Sequence, residues 1–170
     1  MLTQKLRQLG AKPGSGESYR PFTEAQLDEV EAQTNGRLPT SYRQMLTTLG
    51  GCMFAAPVYF NDPQAKMPVM FGWFFGFDEL LDAIRSHEEV LPDGVIPIGD
   101  DGGGNLYCLG VKGDDLGKVF FHDHGVGWDE EAQDYLARGE ELPLRLRYQT
   151  VYLLANSFDE FVNSMWCEEA

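Results

Sequence analysis

Between residues 95 and 122 three short apolar runs alternate with two turns, and both turns are too polar and glycine-rich to continue a strand or a helix. Val95-Ile96-Pro97-Ile98 leads into Gly99-Asp100-Asp101-Gly102-Gly103-Gly104-Asn105, and the run 106–111 follows. Gly113-Asp114-Asp115-Leu116-Gly117 then separates that run from 118–122. Glycine supplies the positive φ that tight turns need, and Asp and Asn bond to nearby amides in turns. Short valine- and aromatic-rich runs joined this way pair as antiparallel hairpins. A doubly wound parallel sheet needs helical crossovers between its strands, and there is no room for one here.

The glycine-rich turn imitates two ligand loops and matches neither. A phosphate loop needs Gly-Lys-Ser/Thr opening a helix, whereas Asp100 and Asp101 repel phosphate and a strand follows. A helix–loop–helix calcium site needs alternating oxygen ligands and a distal glutamate, and the spacing of Asp100, Asp101 and Asn105 does not supply them. Gly99 to Asn105 is therefore read as a structural turn.

Helical signals lie on both sides of these strands. Leu2, Leu6 and Leu9 sit at helical spacing, and residues 10–18, with Pro13, Gly14, Ser15 and Gly16, read as a flexible linker. Thr23 with Gln26 forms a capping box for a helix with Leu27 and Val30 inward, stopping at Asn35-Gly36. Ser41 with Gln44 forms a second box, before the stripe Tyr42, Met45, Leu46 and Leu49 and a stop at Gly50-Gly51. Residues 56–60 and 67–75 read as strands. Asp78 is placed as the cap of a helix to about His87, Val151 begins a further apolar run, and Ser157 with Glu160 opens a terminal helix. The expectation is one α+β domain over 21–170, a mostly antiparallel curved sheet flanked by helices, preceded by a helix and linker over 1–20.

The 170 residues carry a formal net charge of −14. A phosphate backbone repels such a chain, which argues against nucleic acid and anionic membrane surfaces and favours a basic protein partner. The most apolar stretch, near 67–77, is interrupted by Pro68, Gly72 and Gly76, so no membrane span is expected. The N-terminus lacks a secretory pattern, and Cys52, Cys108 and Cys167 are scattered, which fits reduced thiols and a cytoplasmic location. No nucleophile elbow, zinc-protease helix or Cys-x-x-Cys pair occurs. His122-Asp123-His124 could place two imidazoles together, and with Asp100 they are the only plausible catalytic set. No third metal ligand stands at useful spacing, so neither an enzyme nor a metal or cofactor site is expected. The densest acidic stretch holds Asp129, Glu130, Glu131, Asp134, Glu140 and Glu141 with Trp128 and Tyr135. It reads either as a solvated helix face or as a negative surface with exposed aromatic anchors for a basic protein.

Four motifs then stand in a particular order: Leu38-Pro39-Thr40-Ser41-Tyr42-Arg43-Gln44-Met45-Leu46 before Gly50-Gly51; residues 96–109 around the glycine turn; Gly117-Lys118-Val119-Phe120-Phe121-His122-Asp123-His124; and Ser157-Phe158-Asp159-Glu160-Phe161. In this order they resemble the SUKH superfamily, which includes the fungal Smi/Knr cell-wall-assembly regulators and many bacterial immunity proteins. The resemblance spans 21–166; residues 1–18 lie outside it, and much of 129–148 looks like an insertion. It implies an α+β fold and a binding function without catalytic residues. On this reading the chain is a bacterial immunity protein that neutralises a basic, nucleic-acid-targeting toxin by direct contact. The alternative is a regulatory or scaffold module for endogenous protein partners. Oligomeric state is left open.

Overall fold

A computed structural model describes residues 2–62, 64 and 66–168. Helix α1 (Leu2–Gln8) buries Leu6, and Leu9 just beyond its end, in the main core. The segment read as a linker is ordered otherwise. Ala11–Pro13 forms strand β1, with Ala11 opposite Phe54, Lys12 opposite Met53 and Pro13 opposite Cys52. Two further contacts hold the chain after it: Ser18 Oγ accepts the Asp78 N–H at 2.9 Å, and Tyr19 Oη donates to Glu79 at 2.5 Å. Long-range pairing thus overrides a local composition that by itself favours a coil.

Thr23 caps α2 (Glu24–Thr34) through the expected box: its Oγ1 accepts the Gln26 N–H at 3.3 Å, and Gln26 Oε1 accepts the Thr23 N–H at 2.9 Å. Asn35 ends the helix in the left-handed region at φ 47°. The next two starts differ from expectation. Helix α3 (Thr40–Thr48) begins two residues early behind Pro39, whose fixed φ suits a helix entry, and Ser41 caps nothing. Helix α4 (Phe77–His87) is preceded by Gly76, whose N–H donates to Glu79, so Asp78 lies inside the first turn.

The strands β2 (Cys52–Asn61), β3 (Pro68–Phe74), β4 (Val95–Asp100), β5 (Leu106–Gly110), β6 (Val119–His122) and β7 (Val151–Ala155) follow β1 in one antiparallel sheet, ordered as in the chain. Between β6 and β7 lie α5 (Glu130–Ala137) and α6 (Leu144–Arg147). After β7 come α7 (Phe158–Ser164) and β8 (Trp166–Cys167), which pairs with β2 beside β1. The sheet is open, and the α+β architecture is as read from the sequence.

Register sorts the side chains into two rows. Pro13, Cys52, Phe74, Gly99, Tyr107, Phe121 and Tyr152 lie opposite one another across seven strands. This inner face packs on α7: Phe74 meets Phe158 and Tyr107 meets Phe161, with ring centroids 5.8 and 5.6 Å apart. On the outer face the corresponding row is Lys12, Met53, Trp73, Asp100, Leu106, His122 and Val151. Its second half is buried, with the His122 ring 6.3 Å from that of His87 at the end of α4. Its first half is open, and Met53 is 47% exposed.

Candidate functional site

The glycine turn spends most of its carboxylate oxygens on its own backbone and side chains. Asp100 Oδ1 accepts the Gly102 N–H, and Asp101 Oδ1 accepts the N–H groups of Gly103 (2.7 Å) and Asn105 (3.1 Å). Asn105 then works in two directions. Its amide nitrogen donates to Asp101 Oδ2 at 2.7 Å, and its Oδ1 accepts from the backbone N–H (3.1 Å) and Nδ1 (2.7 Å) of His124. Gly104, at φ +97°, brings the backbone close to the His124 ring, where a Cβ would lie 3.6 Å away. The turn is therefore a clip that fastens the β4–β5 hairpin to the segment after β6.

This clip separates the two histidines that the sequence places side by side. His124 stands exposed on Asn105, while His122 is 8% exposed and faces His87. Burial, and then the neighbouring His87, hold the His122 imidazole below its usual pKa. The three groups Asp100, His122 and His124 do not converge on one reacting atom, since Asp100 is turned to Gly102 and His124 to Asn105.

The acidic stretch is also rearranged. Asp129 caps α5, accepting from the Ala132 N–H at 2.8 Å and from Gln149 at 2.6 Å. Arg145 binds Glu131 with its two terminal guanidinium nitrogens and holds its carboxyl below the usual range. Glu140 pairs with Arg138 at 2.9 Å and Glu141 with Arg147 at 2.8 Å. Among the described residues, Glu130 and Asp134 make no ion pair. Trp128 and Tyr135, expected as exposed anchors, are half-buried against a small second core of Ala132, Leu142 and Leu146. The loop after α5 folds back onto that helix, and the guanidinium carbon of Arg138 lies 5.1 Å from the centre of the Tyr135 ring.

What faces solvent instead is a groove of about 700 Å³ between the end of α4 and the α5–α6 segment. Glu88, Glu89 and Asp93 line one side, and Glu140 and Glu141 the other. Leu136, 43% exposed, supplies apolar surface between them, above the buried Leu142. Arg147 holds the two sides together from below. Its guanidinium donates to the carbonyls of Leu142 (3.0 Å), Glu88 (3.0 Å) and Leu91 (3.3 Å) as well as to Glu141. The terminal carbonyls of a helix and the turn after it need such donors. Lys112 offsets Asp93 at 2.7 Å, which leaves Glu88 and Glu89 exposed without an ion pair among the described residues. The arrangement suits cationic side chains flanking an apolar one.

Sequence reading found Glu140 and Glu141 but missed Glu88, Glu89, Asp93 and Arg147, which come from elements far apart in the chain. One local signal was available: Leu144-Arg145-Leu146-Arg147 places two arginines directly after an acidic run.

The model of the SMI1 / KNR4 family (SUKH-1) matches residues 21–164. The chain belongs to this family. A relative is the SPbeta prophage-derived uncharacterized protein YokK of Bacillus subtilis (strain 168), 27% identical over 184 residues that cover 96% of this chain and 84% of that protein. SUKH proteins are generally associated with protein partners. The match begins at Pro21, so α1 and β1 lie outside the SUKH region, whereas the groove lies wholly within it. Among the described residues no helix is long and apolar enough to cross a membrane.

Proposed function

We propose that this SUKH domain acts by binding and not by catalysis, as an immunity protein that blocks a basic toxin in the cytoplasm of the cell producing it. The groove beneath Glu88, Glu89 and Glu140 carries this reading, because it offers carboxylates around the exposed Leu136. A toxin that acts on nucleic acid needs Lys and Arg to neutralise phosphates, and those same groups meet carboxylates when it is inhibited. The net charge of −14 speeds their encounter.

The test uses a toxin domain encoded beside this chain, measured by calorimetry and by rescue of growth on co-expression. Glu88→Lys with Glu89→Lys and Glu140→Lys is expected to weaken binding about tenfold or more and to flatten its salt dependence. Glu130→Gln with Asp134→Asn, on the part of α5 outside the groove, should leave affinity within about twofold. Equal losses from both sets would move the docking surface to α5. Neither complex nor rescue would remove the immunity reading and leave that of a regulatory scaffold.

A further inference from the structure

The open half of the outer face has a pattern the groove does not explain. Along one row of β1 to β4 stand Lys12, Met53, Trp73 and Asp100, a cation and an anion separated by two apolar side chains. Beside this row, Tyr59 lies opposite both Met70 and Trp166, and the Tyr59 and Trp166 rings are 5.1 Å apart. Met53 is 47% and Met70 45% exposed. The methionines are exposed and the rings of Tyr59, Trp73 and Trp166 beside them are half-buried, and methionines set among aromatic rings on an open sheet face mark an interface. Among the described residues Lys12 has no ion pair, and only Oδ1 of Asp100 is bonded, to Gly102.

We propose that a second copy of this chain covers the face. A two-fold axis parallel to the strands, above the seam between β2 and β3, reverses the row. Lys12 then faces the second copy's Asp100, and Met53 faces the second copy's Trp73. Charge meets opposite charge at both ends and apolar meets apolar between them, the self-complementarity that a two-fold interface requires. In a molecule of charge −14, this row balances its single carboxylate with a lysine, so two copies approach here without added repulsion. A basic partner suited to the groove meets Lys12 on this face and is disfavoured. The contact is independent of the groove, so both can be occupied together.

Sedimentation equilibrium of the purified chain tests this. A dimer is expected whose dissociation constant rises about tenfold or more in Lys12→Glu and in Met53→Glu. Circular dichroism checks the fold of each variant, and Lys12→Glu decides if Met53→Glu does not fold, because Lys12 is exposed on an edge strand. Zero-length carbodiimide cross-linking should join Lys12 to Asp100 only between copies, since within one chain three strand spacings, about 14 Å, separate them. A chain monomeric at its highest soluble concentration overturns the proposal. So does a dimer that both variants leave intact, or one that Leu153→Lys on the β7 edge dissociates instead. A foreign protein bound to this face of a monomeric chain overturns it as well.

Discussion

The glycine turn and the groove are both acidic, and they put their carboxylates to opposite uses. In the turn, Asp101 spends its oxygens on the amides of Gly103 and Asn105 and on the Asn105 side chain, all within five residues. In the groove, a single cation, Arg147, satisfies backbone carbonyls from two distant segments, and the carboxylates of Glu88, Glu89 and Glu140 stay at the surface. Each region has one hub: Asn105 ties the turn to the segment after β6, and Arg147 ties the groove walls together while Glu88 and Glu89, among the described residues, keep carboxylates without an ion pair. Counting acids along the sequence does not separate the two uses. Tracing where each carboxylate's hydrogen bonds go does.

Removing the hubs is the most direct way to break this contrast. Arg147→Ala leaves the carbonyls of Leu142, Glu88 and Leu91 without their buried donor and lets the groove walls part. A loss of about 3 kcal/mol in urea unfolding is expected, together with loss of partner binding. Asn105→Ala unfastens the hairpin from His124 and should cost about 2 kcal/mol, with partner affinity unchanged. Equal effects of the two variants on affinity would erase the distinction.

A smaller effect sharpens it at the seam where α4 packs on the sheet. His122 there refuses a proton that it accepts, at its ordinary pKa of 6.5, in the unfolded chain. Its contribution to stability is complete above that value and falls as acidity increases through the window below it. Comparing wild type with His122→Gln in urea between about pH 7 and about pH 5 should show a shallower acid-side loss in the variant. Identical slopes would show that α4 and the sheet are not coupled through this imidazole.

Local signals were the legible ones. The Thr23–Gln26 box, the stop at Asn35, the core stripe of Tyr42, Met45 and Leu46, and the hairpins around Gly99–Asn105 all follow from residues within a few positions of one another. Strand β1 was illegible because Ala11, Lys12 and Pro13 have little strand preference and pair only because β2 runs ten residues, Cys52–Asn61, past them. The start of α4 was misplaced because the cap is a reach back from Glu79 to the Gly76 amide, not an Asp78 side chain. In the candidate site, α5 could be read from its charge pattern. The two-sided groove could not, because Glu88 and Glu141 lie far apart in the chain and are bridged by Arg147.

Strand β2 receives β1 and β8 side by side on one edge, at Cys52–Phe54 and at Val58–Tyr59. The first and last strands of the fold are therefore neighbours, and α1 packs on α7. A short peptide could join the two ends and the chain could be reopened at the 113–117 turn without breaking a ladder, which makes this domain a suitable scaffold for circular permutation. Force applied between the ends would load the flank of β2 together with the α1–α7 contact, so tension is first felt where the two ends of the fold meet.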